Sequence, residues 1–141
     1  MDLEQSECSA CVELKIPCRP EYVGVTRLTI LGVASRMKFS YDDVEDIRLA
    51  VGEACTTSVD WAEKNNITNA HITLNSEISA NKLTIDIIDE AGPRIVGEMD
   101  VDEEIEPENI GALLVTLLVD EVEVFRLDKG THVRMVKYAR N

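Results

Sequence analysis

The sequence predicts an α+β fold, a two-layer sandwich in which helices cover one face of a mixed, mostly antiparallel sheet. The apolar patterns follow the order βααββαββ, with the strands gathered into hairpins. The 141 residues are enough for one domain with a single sizeable core. Hydrophobic residues make up 45% of the chain and aromatic residues only 4%, so the core is expected to be aliphatic. We therefore treat residues 1–141 as one domain, with residues 1–10 as a loose arm.

The first half of the chain predicts one strand and two helices. Residues 11–17 alternate apolar and polar side chains, which indicates a short strand that prolines then end. The first helix is expected to begin at Pro20, since proline suits the first turn of a helix, and to reach Met37. Ser40 has the chemistry of an N-cap. A second helix is therefore expected over about residues 41–64, where apolar residues recur at helical spacing.

The second half predicts four strands and one short helix. The strands are expected over residues 70–74, 83–88, 121–127 and 132–138, and the helix over residues 110–119. The SEISAN stretch, residues 76–81, is predicted to be a turn. Residues 89–109 contain two prolines, two glycines and a dense acidic run, so they are predicted to be irregular.

The composition excludes some classes of function. The formal net charge is −13, so the chain repels phosphate backbones and anionic membrane surfaces; no direct nucleic-acid or membrane binding is expected. The charge either serves to dock a basic partner or only keeps the protein soluble. No apolar run approaches the ~20 residues of a membrane span, and the start of the chain lacks the features of a signal peptide. We therefore expect a cytoplasmic protein.

The cysteines leave two interpretations open. Cys8, Cys11 and Cys18 have a spacing that invites a zinc site, but a structural zinc site normally takes four ligands. No fourth ligand follows at a recognisable distance. In a reducing compartment these residues are instead expected to be free thiols.

Two segments carry a resemblance to a known family. Residues 21–37, EYVGVTRLTILGVASRM, and residues 41–59, YDDVEDIRLAVGEACTTSV, strongly resemble the RsbW-type anti-sigma serine kinases of the GHKL ATPase group. Residues 117–124 and 130–138 also fit that family. The resemblance implies the histidine-kinase-like ATPase fold. It also implies binding of a sigma factor and phosphorylation of a STAS-type anti-anti-sigma protein with ATP and magnesium, often as a homodimer.

The resemblance implies a nucleotide site on the second helix and at the end of a strand. Glu53 matches the family's catalytic Glu, and Thr57 stands where the family has a magnesium-binding Asn. A Thr hydroxyl can also bind magnesium, but it is shorter. Asp89 matches the residue that accepts a hydrogen bond from the adenine amino group, with Thr131 as the second contact. The family's first glycine after this Asp is Ala91 here, or else Gly92 is its counterpart displaced by one residue.

A third motif and a partner residue complete the expected site. The family's phosphate-binding Gly-x-Gly corresponds to residues 109–111, of which only Gly111 is a glycine. The lid before it is short and acidic, so it is expected to repel a triphosphate. Arg27 matches an Arg that contacts both protein partners in the family.

Three interpretations of the function stay open at this point. The first is an RsbW-like binding protein with weak or lost kinase activity, because all three nucleotide motifs are altered. The second is an active protein-serine kinase that uses Glu53. The third is a scaffold of the same fold whose partner is not a sigma factor.

Overall fold

The structure, a computed structural model, describes residues 10–93, 104–110 and 112–140, without the side chains of residues 108 and 109. Its strands are β1 (Ala10–Pro17), β2 (His71–Ile78), β3 (Lys82–Asp89), β4 (Glu104–Ile105), β5 (Glu121–Arg126) and β6 (Thr131–Tyr138). Its helices are α1 (Pro20–Ala34), α2 (Tyr41–Lys64) and α3 (Leu113–Leu118), and a short 3-10 helix spans Pro107–Ile110.

The strands form one six-stranded sheet in the order β1-β2-β3-β6-β5-β4. Every strand pairing within the described ranges is antiparallel. The predicted α+β class is therefore confirmed. No helix in the described part of the chain combines the length and the apolar composition that a membrane crossing requires.

One aliphatic row crosses the whole sheet and fixes its register. It takes one residue from each strand: Leu14, Leu74, Ile87, Val133, Val124 and Ile105. All but Leu14 are buried. The neighbouring row is polar and points to the other face, because side chains alternate across a strand. A slip of one residue would exchange the two rows, so burial of the aliphatic row selects this register.

Helix α2 has the predicted bounds. The Ser40 hydroxyl caps its start by accepting a hydrogen bond from the Asp43 amide at 3.1 Å. Asp42 and Asp43 lie in the first turn and Lys64 in the last, where their charges complement the helix dipole. The buried residues of α2 form one stripe: Ile47, Ala50, Val51, Gly52, Ala54, Cys55, Ser58, Val59 and Ala62.

Helix α1 ends at Ala34, three residues before the predicted end at Met37. The Ser35 hydroxyl donates to the Leu31 carbonyl at 2.6 Å, and such bonds compete with the regular helix pattern. The next two amides, of Arg36 and Met37, bond to carbonyls only three residues back, which tightens the turn and ends the helix.

The prediction of a turn over residues 76–81 was wrong at its start, because β2 continues to Ile78. This strand lies between β1 and β3, so its backbone is paired on both sides. Ser76 is buried, and its hydroxyl donates to the Val12 carbonyl at 3.2 Å. The turn itself is shorter and is closed by the Ser79 amide on the Lys82 carbonyl.

The predicted irregular segment contains two short elements near its end. Strand β4 pairs with β5, where Ile105 lies opposite Val124, and the 3-10 helix follows it. Because Ile110 belongs to the 3-10 helix, α3 begins at Leu113 rather than at residue 110. Residues 94–103 lie outside the described residues.

Lys137 joins the start of α2 to the end of α3. It is buried on β6, and its ammonium donates to the Leu118 carbonyl at 2.8 Å and lies 3.6 Å from the Asp43 carboxylate. A cation at a helix C-terminus interacts favourably with the helix dipole. Burying this charge is tolerable because both partners compensate for its lost hydration.

The polar face of the sheet is held by an ion cluster around Asp86. His132 Nε2 lies 2.6 Å and Arg134 Nε 2.8 Å from Asp86 Oδ1. Burial alone would raise the pKa of Asp86, but the hydrogen bonds from His132 and Arg134 outweigh it and hold that pKa below its ordinary value. The cluster therefore stabilises the fold when Asp86 is ionised.

We predict that Asp86→Asn lowers the free energy of unfolding by about 2 kcal/mol at pH 7, because charge-assisted hydrogen bonds are lost. Urea unfolding measures this. The pKa of Asp86 is depressed in the folded state. The difference in the free energy of unfolding between the variant and the parent is therefore complete above about pH 4, and it shrinks as the pH falls through that lower pKa. The control is Glu13→Gln, which replaces an exposed carboxylate on the same face of the sheet. This change should leave the free energy of unfolding unchanged. An Asp86→Asn protein as stable as the parent at pH 7 would contradict the prediction.

Candidate functional site

The candidate site is built around the buried carboxylate of Asp89, the last residue of β3. Only 2% of Asp89 is exposed, and it lies opposite Ile72 of β2. Its Oδ1 accepts hydrogen bonds from the amides of Ala91 at 3.0 Å and Thr131 at 3.2 Å. Its Oδ2 accepts from the hydroxyls of Ser58 and Thr131, each at 2.6 Å. The carboxylate is thus fixed in position by three separate segments of the chain.

Two glycines allow the backbone to close around this carboxylate. A Cβ on Gly130 would lie 2.1 Å from the Asp89 carbonyl oxygen and 2.3 Å from Oδ1, so the close approach requires glycine. Gly92 has φ of +103°, which side-chain-bearing residues rarely adopt. Its amide donates to the Lys129 carbonyl at 2.8 Å, which ties the turn after β3 to the turn before β6.

The structure brings Asp89, Gly92 and Thr131 together where β3 ends and β6 begins. Thr131 contacts Asp89 through both its amide and its hydroxyl because it is the first residue of β6, the strand next to β3. Ala91 is fully buried, with its amide on Asp89. The roles of these residues toward a nucleotide stay predictions.

Glu53 and Thr57 lie one turn apart on α2, and both are half-buried. The Thr57 hydroxyl donates to the Glu53 carbonyl at 2.9 Å, so its oxygen is held against the helix backbone. It therefore does not extend as far from the helix as the amide oxygen of an Asn would. Gly111, the remaining glycine of the third motif, lies outside the described residues.

Ser58 is a site residue that the sequence analysis missed. It is 3% exposed and lies on the buried stripe of α2, one residue after Thr57. A signal was present, because a buried polar side chain on an apolar helix face requires a hydrogen-bond partner. The identity of that partner, Asp89, depends on the packing of α2 on β3 and is not encoded locally.

Arg27 lies on α1, and its side chain extends over Gly52 of α2. A Cβ on Gly52 would lie 2.3 Å from Arg27 Nε and 2.9 Å from Nη2. The glycine thus leaves the space in which the guanidinium group rests, while Arg27 as a whole stays exposed. A cavity of about 160 Å³ is lined by Pro20, Val23, Arg27, Thr56, Val59 and Asp60.

The cysteines in the described ranges do not form a metal site. No group of three His, Cys, Asp or Glu side chains that could hold a metal ion occurs there, and Cys8 lies outside those ranges. Cys11 is exposed, and its thiol donates to Asn75 Oδ1 at 3.1 Å. Burial raises the pKa of Cys55 to about 12, so this thiol stays protonated at neutral pH.

Comparison with known proteins identifies similar chains. Residues 16–137 match the family model of the histidine kinase-like ATPase domain. The chain is 38% identical over 137 residues to the serine-protein kinase RsbW of Bacillus cereus and equally to that of Bacillus thuringiensis. Each match covers 90% of this chain and 84% of the relative. The RsbW of Bacillus licheniformis is 37% identical over 139 residues with the same coverage.

A solved structure supports the same fold. The crystal structure of the RsbU and RsbW domains of a Mycobacterium tuberculosis protein superposes with a TM-score of 0.70 at 13% sequence identity. The match covers 92% of this chain but only 32% of that longer chain. At this identity the superposition shows a shared fold.

We predict that Gly130→Ala lowers the free energy of unfolding by about 2 kcal/mol or more, because the added methyl group overlaps the backbone and carboxylate of Asp89. Gly24→Ala is the control, since a Cβ there meets no atom within 4 Å and alanine favours the helix. Urea unfolding of both variants measures the difference. Equal urea midpoints for Gly130→Ala and the parent would mean that the close approach of residue 130 to Asp89 does not require a glycine.

Proposed function

Because the chain belongs to the RsbW-type serine-protein kinases of the histidine kinase-like ATPase family, we propose that it is an anti-sigma regulator that acts by partner switching. In this proposal it binds a sigma factor and a STAS-type anti-anti-sigma protein, in the cytoplasm. Its kinase activity is weak or lost. Weak or lost kinase activity is proposed from the state of the nucleotide site. Asp89 and Thr131, which match the family's adenine contacts, lie together, but Thr57 stands where the family has a magnesium-binding Asn.

The partner surface in this proposal centres on Arg27. The residue is exposed on α1, in the segment with the strong family resemblance, and its guanidinium group rests on Gly52. An Arg held in one orientation can form two parallel hydrogen bonds with a partner carboxylate. Support from Gly52 lowers the entropy that the side chain would lose on binding. A homodimer, as the family resemblance implies, is part of the same proposal.

The adenine end of the site fits the proposed cofactor ATP. Asp89 is a buried carboxylate, and Thr131 lies beside it at the start of β6. Once one of the hydroxyl donors to Oδ2 moves aside, this carboxylate can accept a hydrogen bond from an exocyclic amino group such as that of adenine. This part of the site supports binding of the purine base.

The metal end fits its proposed ion less well. The Thr57 hydroxyl is held against the Glu53 carbonyl, so a magnesium ion would have to lie closer to α2 or bind through a water molecule. The lid sequence adds repulsion, because residues 98–108 carry seven carboxylates and no Lys or Arg. Both features support weak binding of the triphosphate.

A second candidate function is an active protein-serine kinase with Glu53 as the catalytic residue. The presence of Glu53, one turn before Thr57 on α2, favours it, as does the position of Thr131 beside Asp89 at the adenine end of the proposed site. The two candidates differ in the affinity for Mg-ATP and in phosphate transfer to the anti-anti-sigma protein.

We predict that Mg-ATP binds with a dissociation constant above about 100 µM, because the metal ligand is short and the lid is acidic. The double variant Thr57→Asn with Ala91→Gly should bind at least about tenfold more tightly, since it regains a metal ligand and a flexible turn. Isothermal titration calorimetry measures both constants. Thr57→Val, which removes the hydroxyl without adding an amide, is the control and should show no gain. A low-micromolar constant for the parent would favour the active kinase instead.

We predict that Arg27→Ala weakens sigma-factor binding by about 2 kcal/mol, the loss expected at a hot spot, and barely changes the melting temperature. Gly52→Ala should weaken the same binding without removing a charge, because its Cβ displaces the Arg27 guanidinium group. Gly32→Ala on α1 is the matched control, since its Cβ meets no atom within 4 Å. Calorimetry with the sigma factor purified from the native host measures the affinities. Parent-like affinity of both Arg27→Ala and Gly52→Ala would remove Arg27 from the partner surface.

A further inference from the structure

Asp89 has no acceptor position to spare for a ligand. A carboxylate offers about four lone-pair sites, and at least four donors from the described residues are directed at Asp89. Two of them are the amides of Ala91 and Thr131 on Oδ1, and two are the hydroxyls of Ser58 and Thr131 on Oδ2. An incoming amino group must therefore displace one of these donors before it can bond to the carboxylate.

The four donors differ in how easily they can be displaced. The amide of Thr131 belongs to β6, and the amide of Ala91 lies in the turn tied down by Gly92, so both are fixed by the backbone. A hydroxyl can rotate away. The Ser58 hydroxyl has a second acceptor within reach, the Ala54 carbonyl at 3.3 Å on the preceding turn of α2. It can therefore leave Asp89 without remaining unpaired.

A hydroxyl carries one proton, so Ser58 can donate to Asp89 or to Ala54 but not to both. The bond to Asp89 Oδ2 is the shorter by far, 2.6 Å against 3.3 Å, and its acceptor is charged. Charge-assisted hydrogen bonds are the stronger class. In the absence of a ligand the proton of Ser58 therefore stays on the side of Asp89.

We propose that Ser58 is a specificity-determining residue that competes with the amino group of a purine base for Asp89 Oδ2. The inference rests on the proposed function, in which Asp89 reads the base. With Ser58 in place, a purine with an amino group binds little more tightly than a purine with a carbonyl group at the same position. Without that hydroxyl, an amino group can take the position on Oδ2 that Ser58 occupied, whereas a carbonyl oxygen is repelled there.

The test compares ATP with ITP, which carries a carbonyl oxygen in place of the adenine amino group. Calorimetry at millimolar nucleotide with magnesium gives the constants for the parent, Ser58→Ala and Ser58→Cys. We expect the parent to bind ATP and ITP within about threefold of each other. Ser58→Ala should bind ATP about tenfold more tightly and ITP no more tightly. Ser58→Cys keeps the shape of the side chain but is a weak donor, so its affinity for ATP should lie between those of the parent and Ser58→Ala.

The control is Ser35→Ala, which removes an exposed hydroxyl that is also bonded within its helix. It should change neither constant. The proposal is overturned if the parent already binds ATP much more tightly than ITP, or if Ser58→Ala gains no affinity for ATP, including the case in which no nucleotide binds to either protein. Sigma-factor binding by the same proteins is measured in parallel. If that binding is present, a negative nucleotide result overturns the role of Ser58 and leaves the proposed anti-sigma function standing.

Discussion

The structure depends on the need to satisfy one buried carboxylate. Removing a charged group from water costs several kcal/mol unless hydrogen bonds replace the lost hydration, and Asp89 is almost fully removed from water. Its donors come from the turn after β3, from the start of β6 and from α2. These segments are far apart in the sequence, and each must be in place before the charge can be buried. The glycine at position 130 follows from the same requirement, since no larger residue fits beside the carboxylate.

Helix α2 connects this carboxylate with the candidate partner surface. Gly52 supports Arg27 from α1, and Ser58 reaches Asp89, with Glu53 and Thr57 between them. The two contacts lie six residues apart on one continuous helix, which is about 9 Å along its axis. A packed helix moves as a unit, so a shift or rotation of α2 would change both contacts together. If the proposed function holds, this arrangement would connect the nucleotide site physically with the partner surface.

The sequence predicted those features that depend on local pattern. The bounds of α2 follow from the Ser40 cap and an apolar stripe. The family resemblance singles out Asp89 and Thr131 as separate contacts of adenine, whereas their hydrogen bond to each other is visible only in the fold. The sequence did not predict the full length of β2 or the existence of β4, because both depend on neighbouring strands. The roles of Ser58 and Gly52 were missed for the same reason. A serine and a glycine on a helix acquire these roles only from the elements that pack against them.

The order of the strands also has a consequence for how the chain folds. The hairpins β2-β3 and β5-β6 join residues that are close in sequence, whereas the central β3-β6 pairing joins residues such as Asp86 and Arg134, 48 apart. Strand β1 is paired with β2 across α1 and α2, and Val12 and Ser76, for example, are bonded at a separation of 64 residues. Closing such long loops costs entropy before any contact compensates for it. We therefore expect the two hairpins to form early and the edge strand β1 to join late, with the slow kinetics typical of non-local sheets.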